Sequence, residues 1–274
     1  RYEAAEENRR ILARVVEKCY RPATRVIEHL IRTHAGRFRC AFSITGITID
    51  QLERHHPDVL DGFRRLAASG CVEFLNETYE HTLAFPYDPE DFVRQVRRHA
   101  RRCRELFGCR TVTFRGTELI YSNDWVRIVA DLGYRVLLAE GAERLLGCRS
   151  PNRVYGAQGE PRVKVLLRNY RLSDDIAFRF SDRSWAEFPL TAAKFAHWVH
   201  ALADSARVVN LFMDYETFGE HQWPETGIFR FLEALPGEIL KHPDFVFHTP
   251  AEAAALHPSE GILDSPGIVS WADR

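Results

Sequence analysis

Two acidic segments follow apolar runs and have the residue types needed to cleave a glycosidic bond. Glu118 lies four residues after the run TVTF at 111–114, and Asp214 and Glu216 follow the β-rich run at 207–213. Retaining glycosidases use one carboxylate to attack the anomeric carbon and another carboxyl group to protonate the leaving oxygen. The spacing predicts Glu118 as a nucleophile. It leaves open whether Asp214 or Glu216 is the acid/base.

The surroundings of Glu118 allow a second interpretation. A Glu at the start of a helix complements the helix dipole without any catalytic role, and the local sequence favours neither interpretation. Arg115 lies three residues before Glu118 and offers a guanidinium that would keep the carboxylate ionised. Arg115 is therefore predicted to be a site residue.

A third polar segment, GCVEFLNETYEH at 70–81, places Glu73 inside an apolar run and His81 beyond it. Metal sites need two or three ligands at fixed short spacing, and neither HExxH nor a comparable pattern is present. We therefore predict no metal and no cofactor. His81 is interpreted as a group that binds sugar hydroxyls or tunes a neighbouring pKa.

Aromatic residues surround these segments. The apolar C–H faces of sugars pack on aromatic planes, so aromatics beside carboxylates favour a carbohydrate site, although any one of them is more often a core residue. These aromatic residues are Tyr79, Tyr87, Tyr121, Trp125, Tyr215, Phe218 and Trp223.

An acidic pair, Asp174-Asp175, precedes a further strand-like segment. An extended chain would direct only one of the two side chains to the site, and Asp175 is selected.

Alternating strand-like and helical segments must position these residues. The predicted strands are 38–44, 71–75, 111–114, 134–138, 163–167, 207–213 and 245–248. The predicted helices are two within 3–34, broken near Arg21-Pro22, and then 90–107, 123–132, 191–204 and 225–240. Such alternation is typical of a parallel α/β fold. Polar clusters follow several strand ends and no nucleotide-binding loop is present, so a barrel is favoured over an open sheet.

The composition fits one domain that binds a neutral ligand. The 274 residues carry 37 Lys+Arg against 38 Asp+Glu, which argues against nucleic acid or an anionic membrane as partner. No linker interrupts the chain, so residues 1–274 are predicted to form a single catalytic domain. The scattered cysteines and the lack of a signal peptide or membrane-spanning run predict a cytoplasmic protein.

Several long motifs together resemble glycoside hydrolase family 57, in its α-amylase-type branch. The resemblance extends over nearly the whole chain. It rests on FSITGITIDQLE (42–53), GCVEFLNETYEH (70–81), FRGTELIYSN (114–123), SPNRVYG (150–156), LLRNYRLSDDIAFRFSDRSW (166–185), VNLFMDYETFGEHQW (209–223) and SWAD (270–273).

This resemblance implies an incomplete (β/α)7 barrel, a distorted relative of the TIM barrel. It also implies cleavage of α-1,4-glucosidic bonds in starch, glycogen or maltooligosaccharides with retention of configuration. The family motifs assign Glu118 as nucleophile and select Asp214 over Glu216 as acid/base. The residues expected to bind substrate are Glu73, His81, Arg115, Tyr121, Asp175, Glu216, His221, Trp223, Trp271 and Asp273.

The chain departs from the family pattern in several places. Gly116 stands where amylase-type relatives usually have Asn, and Glu80 replaces the second Tyr of a YYH pattern. The His-Gln-Pro motif of the first barrel strand and a C-terminal helical region have no counterpart. We therefore expect the chain to lack that strand, to have a gap in the sheet near 38–44 and 207–213, and to be poorly soluble and nearly inactive when expressed alone.

Three alternatives to an α-glucan hydrolase remain. A 4-α-glucanotransferase would use the same catalytic pair and differ only in whether water or a sugar hydroxyl resolves the intermediate. A non-catalytic glucan-binding homologue would bind without turnover. A metal-dependent polysaccharide deacetylase would need metal ligands that the sequence does not supply.

Overall fold

The structure is a computed structural model that describes residues 2–273, with side chains from residue 6 onward. Its helices within this range are α1 (Tyr2–Val15), α2 (Arg21–Thr33), α3 (Gly46–His55), α4 (Pro57–Ala68), α5 (Pro89–Phe107), α6 (Asn123–Asp131), α7 (Glu143–Leu146), α8 (Tyr170–Ala177), α9 (Ala192–His200), α10 (Ile228–Ile239) and α11 (Pro250–Leu256). Its strands are β1 (Cys40–Phe42), β2 (Val72–Phe74), β3 (Thr113–Arg115), β4 (Val136–Glu140), β5 (Val154–Ala157), β6 (Glu160–Arg168) and β7 (Ile262–Leu263).

The N-terminal helices are continuous, so the predicted break near Arg21-Pro22 is wrong. A π-helical turn, Val16–Tyr20, joins α1 to α2. Pro22 lies in the first turn of α2, directly after the π-helical turn. The wider π turn brings Cys19 and Tyr20 against the segment that follows Asp214.

The described strands form two sheets, one parallel and one of mixed direction. β1 and β2 are parallel, and a parallel bridge between Asn76 and Phe114 continues this pairing towards β3. The second sheet has the order β3-β4-β6-β5-β7, with β3, β4 and β6 parallel and β5 antiparallel to β6. The fold is therefore α/β. The carboxyl ends of the parallel strands lie at one edge, where polar residues converge.

Several predicted strands differ from those observed. Within residues 2–273, no strand covers 207–213 or 245–248, whereas β5 and β7 were missed. The apolar run 207–213 lies beside β6 through single contacts, such as the Asn169 N–H to the Asn210 carbonyl at 2.9 Å. The described strands do not close into a barrel, and the incomplete (β/α)7 architecture stays a prediction.

The largest hydrophobic core lies between the five-stranded sheet and α5 and α6. Three of the aromatics considered for the sugar site, Tyr79, Tyr121 and Trp125, are buried. Trp223 is instead 59% exposed. Among the described helices, none combines the length and the apolar character that crossing a membrane requires.

Candidate active site

Glu118 lies at the carboxyl end of β3 in a strained backbone turn. The turn Thr117–Leu119 gives Glu118 a left-handed conformation with φ 54° and ψ 26°, and Leu119 follows with φ 52°. Left-handed residues other than glycine cost about 1–3 kcal/mol each and persist only where surrounding contacts fix them. Here the Leu119 side chain is buried, and the Tyr121 N–H donates to the Val269 carbonyl at 2.8 Å. The turn leaves the Glu118 side chain 47% exposed, where a ligand can reach it.

His81 lies between Glu118 and a second carboxylate, Glu77. Its Nε2 is 3.3 Å from Glu118 Oε1, and its Nδ1 is 3.4 Å from Glu77 Oε2. Glu77 is 1% exposed and accepts a hydrogen bond from Ser43 Oγ at 2.5 Å. Arg115 Nη1 is 3.8 Å from the same carboxylate. The side chains of His81, Ser43 and Arg115 thus surround the buried Glu77 carboxylate, and the His81 imidazole connects it to the exposed Glu118.

The charges in this cluster favour an ionised Glu77 and a protonated His81. Burial alone would raise the pKa of Glu77, but the hydrogen bond from His81 and the charge of Arg115 outweigh it and lower that pKa. The hydrogen bond to Glu77 is the main reason that the pKa of His81 lies above its ordinary value. A protonated imidazole has two N–H donors, so it can donate to both carboxylates at once.

Gly116 is explained by close packing. A Cβ at this position would lie 2.8 Å from Trp125 Cζ2 and 3.0 Å from the Ile120 carbonyl oxygen. The Asn expected from the family pattern would therefore force Trp125 to move, and Trp125 is buried in the core beside Phe114. The indole of Trp125 occupies the space that an Asn side chain at position 116 would need.

Asp214 precedes the short turn Tyr215–Thr217 and Glu216 lies within it, and their environments differ. Asp214 is exposed, whereas Glu216 is partly buried and accepts a hydrogen bond from the Tyr20 hydroxyl. The Tyr215 ring packs edge-on against Phe42 of β1, with the centroids 4.9 Å apart. The turn is therefore anchored to β1 and to the π-helical turn. Of the two carboxylates, Asp214 is the one left open to a ligand.

Two further predicted binding residues lie at the end of the chain. The ring of Trp271 lies over the guanidinium of Arg168, 5.1 Å from ring centroid to Cζ. Asp273 forms an ion pair with Arg144 at 3.0 Å and accepts from the Ser270 N–H at 2.8 Å. These contacts fix the backbone of the SWAD segment.

Asp175 lies on α8 and is partly buried. Arg179 Nε donates to its Oδ1 at 2.7 Å. Burial raises the pKa of Asp175, and the hydrogen bond from Arg179 opposes that change. Asp175 therefore has a structural partner just beyond the end of its own helix.

Two other predicted binding residues, Tyr121 and Glu73, lie in environments that do not suit ligand contact. Tyr121 is 0% exposed and belongs to the core, and Glu73 Oε2 accepts the Ala251 N–H at the start of α11 at 2.9 Å. A direct role in binding does not fit either position. His221 and Trp223 are exposed, and the Trp223 ring faces Lys18 at 5.3 Å.

Sequence reasoning did not select Glu77 and Ser43, which hold His81 in place. The spacing of Glu77 and His81 by four residues was a signal, but it becomes informative only when Glu77 is known to be buried. Within the described part of the chain, no group of three or more His, Cys, Asp or Glu could hold a metal ion. The arrangement suits acid–base and nucleophilic chemistry by carboxylates.

The model of glycosyl hydrolase family 57 matches residues 1–266, and the chain belongs to this family of glycoside hydrolases. A protein of Methanocaldococcus jannaschii, provisionally named an alpha-amylase, is 42% identical over 276 residues. The match covers 100% of this chain and 58% of that relative. The chain therefore spans a little over half of the relative's length.

Solved structures share the fold at low sequence identity. The 4-alpha-glucanotransferase of Thermococcus litoralis superimposes with a TM-score of 0.76 at 19% identity, over 93% of this chain and 38% of that one. A family 57 branching enzyme of Thermococcus kodakaraensis gives a TM-score of 0.72 at 13% identity, over 96% and 70%. These likenesses establish an α/β fold shared with these two proteins.

Proposed function

We propose that this chain is the catalytic region of a retaining glycoside hydrolase that cleaves α-1,4-glucosidic bonds in starch, glycogen or maltooligosaccharides. Glu118 is the nucleophile and Asp214 is the general acid/base. The observation that carries the proposal is the Glu118 carboxylate, presented at a strand end in a strained turn and hydrogen-bonded to His81. Such strain clusters at functional sites.

The two carboxyl groups act in turn. Glu118 attacks the anomeric carbon while Asp214 transfers its proton to the leaving glycosidic oxygen, so the C–O bond to the leaving sugar breaks as the Glu118 ester forms. Asp214, now a carboxylate, removes a proton from water, and the resulting hydroxide displaces Glu118 from the anomeric carbon. Two displacements return the original configuration.

His81 supports the ionised state of Glu118 in this scheme. Its protonated ring donates to the Glu118 carboxylate and favours the ionised nucleophile. Glu77 accepts from the other ring nitrogen and keeps the imidazole oriented. Glu77 itself is buried and also accepts from Ser43, so the orientation is fixed before a substrate arrives.

The experiment that tests the nucleophile replaces Glu118 with Gln. This change keeps the shape of the side chain and removes its charge, so turnover of soluble starch should fall by roughly 10⁴-fold or more with folding unchanged. Glu80→Gln is a matched control, because Glu80 is an exposed carboxylate paired with Arg98 at 3.2 Å. Near-normal activity of Glu118→Gln would remove Glu118 from its proposed role.

A 4-α-glucanotransferase is the second candidate, and the fold likeness to the Thermococcus litoralis enzyme favours it. It shares the first displacement and differs in the acceptor that resolves the intermediate. Incubation with maltotriose separates the two activities. Glucose and maltose alone indicate hydrolysis, whereas additional longer oligosaccharides indicate transfer. Binding without any product would instead indicate a non-catalytic glucan-binding protein.

A further inference from the structure

Arg168 is a fully buried cation at the carboxyl end of β6. Its side chain is 0% exposed, and each arm of the guanidinium has a different partner. Nη1 donates to Glu140 Oε2 at 3.2 Å, and Nη2 donates to Asp174 Oδ1 at 2.6 Å. Nε donates to the Phe212 carbonyl at 2.7 Å. Arg168 therefore joins β4, α8 and the segment that leads to Asp214.

Side chains bind both backbone polar groups of Phe212. Its N–H donates to Ser173 Oγ at 3.2 Å, while its carbonyl accepts from Arg168. Asn210, two residues earlier, donates through Nδ2 to the Leu167 carbonyl at 2.9 Å. Because no strand ladder covers this part of the described chain, these bonds replace the regular pairing that would otherwise fix the segment. Asp214 follows Phe212 after only one intervening residue.

The surroundings of the guanidinium exclude water. Trp271 covers it, and Glu140 and Asp174 are both buried. Burial raises the pKa of Glu140, and the charge of Arg168 opposes that change. In such an environment a charge-assisted hydrogen bond is strong and geometrically strict. A planar guanidinium can make all three contacts at once, whereas a lysine ammonium cannot reproduce that fork.

We propose that Arg168, together with Ser173, is a positioning residue for Asp214: it fixes the Phe212 peptide, and through it the distance from the acid/base carboxyl to the glycosidic oxygen. The inference rests on the proposed role of Asp214 and goes beyond it, because Arg168 touches neither substrate nor reacting atom. A displacement of about 1 Å in a catalytic group can cost roughly 100-fold in rate.

The test compares variants on maltooligosides with a graded series of aryl leaving groups. Arg168→Lys keeps the buried positive charge and loses the fork, and Ser173→Ala removes the other bond to the Phe212 peptide. Both should lower kcat/KM, which reports the first displacement, by roughly 10- to 100-fold for poor leaving groups and only a few-fold for activated ones, because only poor leaving groups need a well-placed proton. KM should change little.

A merely structural role predicts a different outcome. Partial unfolding lowers the active fraction, which reduces kcat/KM equally for every leaving group, and that result in both variants would overturn the proposal. Ser173→Ala removes no charge, so it keeps the test valid if Arg168→Lys does not fold. Arg65→Lys is the matched control: Arg65 of α4 donates through Nε to Glu28 Oε1 of α2 at 2.8 Å, and its replacement should leave the leaving-group dependence unchanged.

The same assay separates this inference from the proposed function. Asp214→Ala sets the reference, with the steepest dependence on the leaving group. If Asp214→Ala has no such dependence, the acid/base assignment fails. If Asp214→Ala has it and the Arg168 and Ser173 variants do not, only the positioning role fails.

Discussion

His81 and Glu118 face each other across the candidate site, with 3.3 Å between Nε2 and Oε1, and both residues have left-handed backbones. The φ values are 55° for His81 and 54° for Glu118. Two strained residues that meet through their side chains indicate a geometry that the fold enforces. The buried Glu77 on the far side of His81 supplies the charge that orients the ring.

Replacing Glu77 with Gln should lower the pKa of His81 towards its ordinary value of 6.5, because the hydrogen bond to Glu77 is the main cause of the rise. The measurement is an NMR titration of the His81 ring in the two proteins. Glu80→Gln, one residue from His81, is the control and should leave the titration unchanged. An unaltered His81 pKa in Glu77→Gln would contradict the assigned contact.

The same pair should make stability depend on pH. A raised pKa for His81 gives stability that is complete below its unfolded value of 6.5 and is lost as pH rises through the folded pKa. A lowered pKa for Glu77 gives stability that is complete above its unfolded value of 4.5 and is lost as pH falls through the folded pKa. The free energy of unfolding in urea should therefore differ most between the unmodified protein and Glu77→Gln between pH 4.5 and pH 6.5. The difference should be smaller at high pH.

The sequence predicted local features of the fold better than distant contacts. Helix α6 was predicted at 123–132 and is observed at Asn123–Asp131, because Ser122 caps its first turn with a local hydrogen bond. The run 207–213 has the apolar character of a strand, yet side chains from β6 and α8 hold it. Strand pairing depends on neighbours that are distant in sequence, and local residue preference cannot supply them.

The candidate site likewise combines features that the local sequence predicts with contacts between distant parts of the chain that it does not predict. The position of Glu118 just beyond a strand follows from local sequence, and the structure has it there. The partnership of Glu77 with Ser43 and Arg115 depends on which parts of the chain meet, so spacing did not predict it. Tyr121 was selected as an aromatic beside a carboxylate, but its ring packs towards Trp125 in the core. The catalytic roles of Glu118 and Asp214 stay predictions.

Asp214→Ala should depress cleavage of poor leaving groups far more than that of activated ones, whereas Glu216→Ala should lower both by a similar factor. Only the general acid supplies the proton that a poor leaving group needs. Glu216 already accepts a hydrogen bond from Tyr20, which suits a supporting role. The measurement is kcat/KM, which reports the first displacement, against leaving-group pKa for each variant. A leaving-group dependence in Glu216→Ala alone would exchange the two assignments.

The products should retain the α configuration. In a crystal structure with bound substrate analogue, the carboxyl groups of Glu118 and Asp214 should lie about 5–5.5 Å apart, against roughly 6.5–9.5 Å for inverting enzymes. Proton NMR of the first products gives the anomer directly, before mutarotation mixes the two forms. Initial release of the β-anomer would rule out a double displacement.

Gly219→Ala should destabilise the protein by about 3 kcal/mol or more, because the new side chain has no space and the backbone no tolerance for it. Gly219 has φ 116°, and a Cβ there would lie 1.9 Å from the Lys18 carbonyl oxygen of the π-helical turn. Backbone atoms cannot move aside as a flexible side chain would. The π turn would separate from the Tyr215–Thr217 segment, so activity should fall with stability. Gly267→Ala is the control, since a Cβ there meets nothing within 4 Å. Urea unfolding of both variants checks the difference, and equal stabilities would show that the π turn does not hold this segment.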